Sequence, residues 1–95
     1  MSETQALASF VERIYQARDE IGFYAVLEVE SDASVDEIKM SYLKLASKLH
    51  PDAHGASISE DYRSRLAAVF SLVVEARCTL SDPIRRAQYD KQTGD

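Results

Sequence analysis

The stretch SVDEIKMSYLKLASKLHPD, residues 34–52, decides how this chain folds. Ser34 followed three residues later by Glu37 forms a capping box, in which each side chain serves the other's backbone N–H, so a helix should open at Val35. Val35, Ile38, Tyr42, Leu45, Ala46 and Leu49 then recur at helical spacing in one stripe, while Lys39, Lys44, Ser47 and Lys48 fall outside it. Met40 and Leu43 also fall off the stripe, so this helix should expose two hydrophobes. Pro51 ends it. Proline lacks an N–H and biases the preceding residue, His50, away from helical geometry, which makes His50-Pro51-Asp52 a loop.

Outward from this stretch, the loop continues through Ser57, and Ser59 with Glu60 and Asp61 caps a second long helix. Its expected core face carries Tyr62, Leu66, Val69, Phe70, Val73, Ala76 and Leu80. A connection of about ten residues lets the two helices pack antiparallel as a hairpin with His50 at its tip. Asp82 as N-cap and Pro83 at the first helical position open a short last helix through Tyr89. Upstream, Leu7, Phe10, Val11, Ile14, Tyr15 and Ile21 predict a helix from Ser2 to Ile21, stopped at Gly22. Phe23 to Leu27 is too short to separate a turn or two of helix from a strand.

Ninety-five residues hold one small domain, and the only cysteine, Cys78, excludes a disulfide framework and fits a reducing, cytoplasmic setting. The net charge of −5 is unevenly spread: residues 1–37 carry −7, residues 38–49 carry +3 with no acid, and residues 50–95 carry −1. A purely cationic helical segment inside an acidic chain points to an acidic protein partner, whereas the overall charge disfavours nucleic acid. No apolar run reaches the ~20 residues of a membrane span, and the N-terminus has no signal-peptide pattern.

In this pattern the chain resembles the J-domain, the module of DnaJ-type co-chaperones, over about residues 22–91. Phe23-Tyr24-Ala25-Val26-Leu27-Glu28-Val29 is similar to the family's opening segment. Residues 31–39, Tyr42, Leu45, Ala46 and Lys48 are similar to its second helix, which leads into the signature His50-Pro51-Asp52. Phe70, Ala76, Leu80-Ser81-Asp82-Pro83 and Arg86-Ala87-Gln88-Tyr89-Asp90 continue the likeness. The resemblance implies an all-α fold: an antiparallel helical hairpin with short flanking helices, here with an extra N-terminal helix over residues 1–21 and a tail over 92–95. Tyr42, Leu45, Leu49, Leu66, Phe70, Val73 and Leu80 are its expected core.

The resemblance further implies a protein without catalysis or cofactor of its own. It would bind a heat-shock protein 70 (DnaK-type) chaperone and stimulate its ATP hydrolysis. Lys39, Lys44 and Lys48 would dock on an acidic groove, while His50, Pro51 and Asp52 act near the chaperone's interdomain linker. Unfolded clients would be held by regions not present here, since glycine/phenylalanine-rich and zinc modules are missing, and the ending at Gly94-Asp95 reads as a fragment of a larger protein.

Several positions depart from the family pattern. Glu28 stands where glycine is common, Met40 and Leu43 where cations are common, Ala53 and His54 where Lys, Arg or Asn are usual, and Arg77 where an aromatic is frequent. A less cationic second helix leaves open a docking domain that binds a partner without stimulating ATPase activity. A metal site at His50, Asp52 and His54 has suitable ligand types but no fourth candidate, and a catalytic Cys78 is remote from both histidines in sequence. Arg85 and Arg86 read as a solvated face or as partners of nearby carboxylates.

Overall fold

A computed structural model describes residues 3–50 and 59–93, which contain five helices and no strand. They are α1 (Glu3–Gln16), α2 (Phe23–Val26), α3 (Val35–Leu49), α4 (Glu60–Ser81) and α5 (Pro83–Gln92). The longest, α4, is the axis of the fold, and each of the other four packs against it. Its Leu66, Val69, Val73, Ala76 and Leu80, at alternating three- and four-residue steps, are almost wholly buried. Onto this seam α3 brings Ile38, Leu45 and Leu49, α1 brings Val11 and Ile14, and the α2 segment brings Val26 and Leu27. Burying each such aliphatic side chain contributes about 1.5–3 kcal/mol. No polar or charged residue is buried among the described residues.

The caps fall where the sequence places them. Ser34 Oγ accepts from the Glu37 N–H at 3.1 Å, and the Glu37 carboxylate accepts from the Ser34 N–H. Ser59 Oγ accepts from the Tyr62 N–H at 3.1 Å. Asp82 Oδ1 accepts from the N–H groups of Ile84 and Arg85, with Pro83 in the first turn of α5. That helix continues past the expected Tyr89 to Gln92, because nothing breaks it before Thr93.

Several local expectations are corrected. The first helix ends at Gln16 rather than Ile21. There the Arg18 guanidinium lies over the Tyr15 ring and donates at 2.7 Å to the Tyr15 carbonyl, which otherwise accepts only a long 3.4 Å bond from the Arg18 backbone N–H. Ile21 packs against the core from outside any helix. Tyr42 and Phe70 are only half-buried, each at an edge of its stripe. Tyr62 is likewise half-buried, and Val35, in the first turn of α3, is 48% exposed.

Phe23 to Val26 is a single helical turn, and its exit explains the departure at residue 28. The Val29 N–H donates to the Tyr24 carbonyl at 3.0 Å and the Glu28 N–H to the Ala25 carbonyl at 3.1 Å, the two bonds of a Schellman cap. That cap needs a left-handed residue at its centre, and Glu28 supplies it with φ of 57°, where glycine would carry no steric penalty.

The two flanking helices are attached differently. Beside the buried Val11 and Ile14, Glu12 of α1 accepts hydrogen bonds from Gln16 and from Arg65 of α4, and Arg65 also pairs with Asp61 at 3.3 Å. The Gln16 amide and then the Arg65 guanidinium hold the Glu12 carboxyl below its ordinary pKa. By contrast, α5 buries no residue completely. Its Tyr89 ring stacks on Phe23 at 4.8 Å, and the Tyr89 hydroxyl accepts from the Phe23 N–H at 2.8 Å. The Tyr24 hydroxyl donates to Asp90 at 2.7 Å and accepts from Arg86, which also donates to the Ser31 carbonyl. Desolvation, then the bond to Asp90, raises the Tyr24 pKa.

Gly22 is the N-cap of α2 rather than the stop of α1. A Cβ there would lie 3.1 Å from the Tyr89 hydroxyl, so the glycine makes room for this closure.

Candidate functional site

The outward face of α3 and the chain that leaves it form the candidate site. Lys39, Lys44 and Lys48 are all exposed. With about 100° of rotation per residue, Lys44 and Lys48 share one flank while Lys39 lies about 140° from Lys44 on the other. Between these flanks sit Met40, 67% exposed, and Leu43, 49% exposed. The three lysines therefore frame an apolar strip instead of forming one continuous cationic face. Neither Lys39 nor Lys44 forms an ion pair with a described residue.

The surroundings of the two ends differ. Lys48 shares a crevice of about 210 Å³ with Ala6, Leu7 and Phe10 of α1, Leu45 and Glu28. At the N-terminal end, Glu28, Glu30, Asp36 and Glu37 line an open groove with Met40 and Ser41. Glu28 borders both recesses, Lys39 lies beside the acidic groove, and Lys44 and Lys48 carry the surface on towards His50.

His50 closes α3 with φ of −61° and ψ of 136°, the extended geometry that a following proline demands. Its exposed side chain borders a cleft of about 400 Å³ lined by Leu49, Arg63, Leu66, Ala67, Phe70 and Ser71. Pro51, Asp52 and His54, including two ligands of the conceivable metal site, lie outside the described residues. Among the described residues no cluster of three or more His, Cys, Asp or Glu could hold a metal ion. Cys78 is exposed on α4, and Arg86 is engaged with Tyr24 and Ser31 rather than a carboxylate. Arg77 lies over the Tyr42 ring, 5.0 Å from its centroid, in keeping with a guanidinium snorkelling past the apolar stripe.

Sequence reading missed Arg63 and the acidic groove. Arg63, Ala67, Phe70 and Ser71 do share a helical face, but their association with His50 depends on which face of α4 the end of α3 meets. The groove joins residues 28–30 to residues 36–41 across a turn, which no single-helix periodicity reveals.

A hairpin whose basic helix ends at a pre-proline histidine, closed by short helices at either side, is the architecture of a J-domain. The DnaJ domain family model matches residues 22–90. Over 71 residues the chain is 44% identical to an uncharacterised J domain-containing protein of Schizosaccharomyces pombe, covering 75% of this chain and 32% of that protein. It is 46% identical over 69 residues to the chaperone protein DnaJ of Halalkalibacterium halodurans, covering 73% and 17%. It is 38% identical over 73 residues to a DnaJ homolog subfamily C member 11 homolog of Dictyostelium discoideum, covering 77% and 12%. No solved structure gives a significant match. The chain belongs to the DnaJ domain family, and it spans a third or less of the length of these relatives.

Proposed function

We propose that this chain is a J-domain co-chaperone that docks on a heat-shock protein 70 (DnaK-type) chaperone and stimulates its ATP hydrolysis, promoting client capture. Proteins of this family are in general non-enzymatic regulators, so the hydrolysis would take place on the chaperone. The observation that carries the reading is that one helix bears exposed Lys39, Lys44 and Lys48 and ends in His50, which leaves α3 in its pre-proline geometry. The lysines would steer encounter with an acidic surface, and His50-Pro51-Asp52 would act on the bound chaperone. Residues 22–91 form the docking module in this reading, with α1 as an added support and clients held elsewhere. No helix among the described residues is long and apolar enough to cross a membrane. The cytoplasm is the proposed setting.

The test is single-turnover ATP hydrolysis by the DnaK-type chaperone of the same organism, across a salt series. The wild-type chain should accelerate hydrolysis and His50→Gln should not, while rising salt should weaken the effect because exposed charges are screened over ~10 Å at 0.1 M. The exposure of Met40 and Leu43 favours one second reading, a docking domain that binds without stimulating. Binding by the folded wild-type chain with no acceleration would select it.

A further inference from the structure

We infer that the partner surface recognised by α3 is an apolar patch bordered by carboxylates, with Met40 and Leu43 as its central contacts and the lysines as its rim. This inference rests on the docking reading above and specifies the chemistry of its partner. Met40 and Leu43 are well exposed on a helix whose buried side is already complete, so packing within the chain does not account for them. Their place between Lys39 on one flank and Lys44 and Lys48 on the other is the common anatomy of an interface: desolvated apolar centre, charged rim.

Charge complementarity defines the occupant. Residues 38–49 contain three lysines and no acid, and Lys39 and Lys44 form no ion pair with a described residue, so an acidic border on the partner complements them. Glu30, Asp36 and Glu37 at the N-terminal end favour a cation on the partner at that point and fix the direction in which it lies. An all-acidic groove would leave Met40 and Leu43 facing carboxylates, and desolvating those carboxylates against methyl groups is unfavourable.

Two substitutions give opposite signs for the competing interfaces. Met40→Lys and Leu43→Lys each add a cation at a position outside the core cluster and exchange one good helix former for another. If docking were purely electrostatic, either change would tighten binding to the cognate chaperone. With an apolar centre, each should weaken it about tenfold, roughly the consequence of removing one half-exposed apolar anchor from an interface. The readouts are the dissociation constant and the single-turnover rate, with circular dichroism verifying the fold. For the wild type, binding should fall less steeply with salt than for either lysine variant.

Undiminished or tighter binding by both lysine variants would overturn the inference while leaving the co-chaperone reading intact. Failure of the folded wild-type chain to bind its chaperone at all would overturn both. Concentration-dependent self-association abolished by Leu43→Lys would place a second copy of the chain on the strip and would also overturn the proposal.

Discussion

Helices α1 and α5 both lean on α4, but they are held by different physics. The attachment of α1 is mainly apolar, with Val11 and Ile14 buried to the core and an ion pair at the rim. That of α5 is directional, with one stacked ring and hydroxyl hydrogen bonds to elements more than sixty residues away. The first tolerates small shifts and depends on volume. The second depends on individual atoms, so removing one hydroxyl should be felt where removing one rim charge is not.

Truncating the apolar attachment should have the largest effect. Ile14→Ala leaves a hole at a fully enclosed position and should destabilise the chain by about 2–4 kcal/mol in denaturant unfolding. A loss below the lower end would show that α1 contributes little to the cooperative unit and would break the comparison at its first term.

The directional attachment is tested by a cycle. Tyr89→Phe keeps the stack but leaves the Phe23 N–H without its acceptor, which should cost about 1–2 kcal/mol. Gly22→Ala pushes a methyl against the same hydroxyl and should be destabilising in the wild type. In the Tyr89→Phe background its penalty should shrink markedly, a non-additivity expected of groups in contact. Independent, additive losses would show that the closure around Tyr89 is looser than its geometry implies.

Between these two attachments, Glu28→Gly relieves the left-handed residue in the Schellman cap and should raise stability by about 1 kcal/mol. Thermal unfolding of the pair of proteins measures it. No gain would mean that the Glu28 side chain makes compensating contacts in the crevice beneath α1.

The smallest effect is expected at the rim of α1. Because the Glu12 carboxyl is held below its ordinary pKa, its contribution is present above the pKa of the unfolded chain and is lost as pH falls through the folded one. The stability difference between wild type and Glu12→Gln should therefore be constant near neutrality and diminish in acid, below about pH 4.3. Added salt should shrink it as well, since both partners are partly exposed.

What could be read from the sequence was what neighbouring residues determine together. Ser34 with Glu37, Ser59, and Asp82 with Pro83 each mark a helix start through contacts within three residues, and all three starts stand where expected. Leu45, Leu49, Leu66, Val73 and Leu80 are buried as their periodicity implies. The end of α1 was hidden because no breaker occurs before Gly22, and a stacked arginine beyond Gln16 has no sequence signature. The state of Phe23 to Leu27 was equally hidden, since what fixes it is Tyr89, distant in the chain. At the candidate site, the lysines and exposed hydrophobes followed from helix geometry. The cleft beside His50 and the acidic groove did not, because each joins separate segments.

The bond from the Phe23 N–H to the Tyr89 hydroxyl spans nearly the whole family-matched segment and ties the backbone at its start to a side-chain tip near its end, 2.8 Å apart. A unit clasped in this way by its first and last turns is a ring closed through a side chain rather than a string with two loose ends. Because α5 buries no residue of its own, loosening of this unit is expected to begin at the clasp and to reach the seam along α4 last.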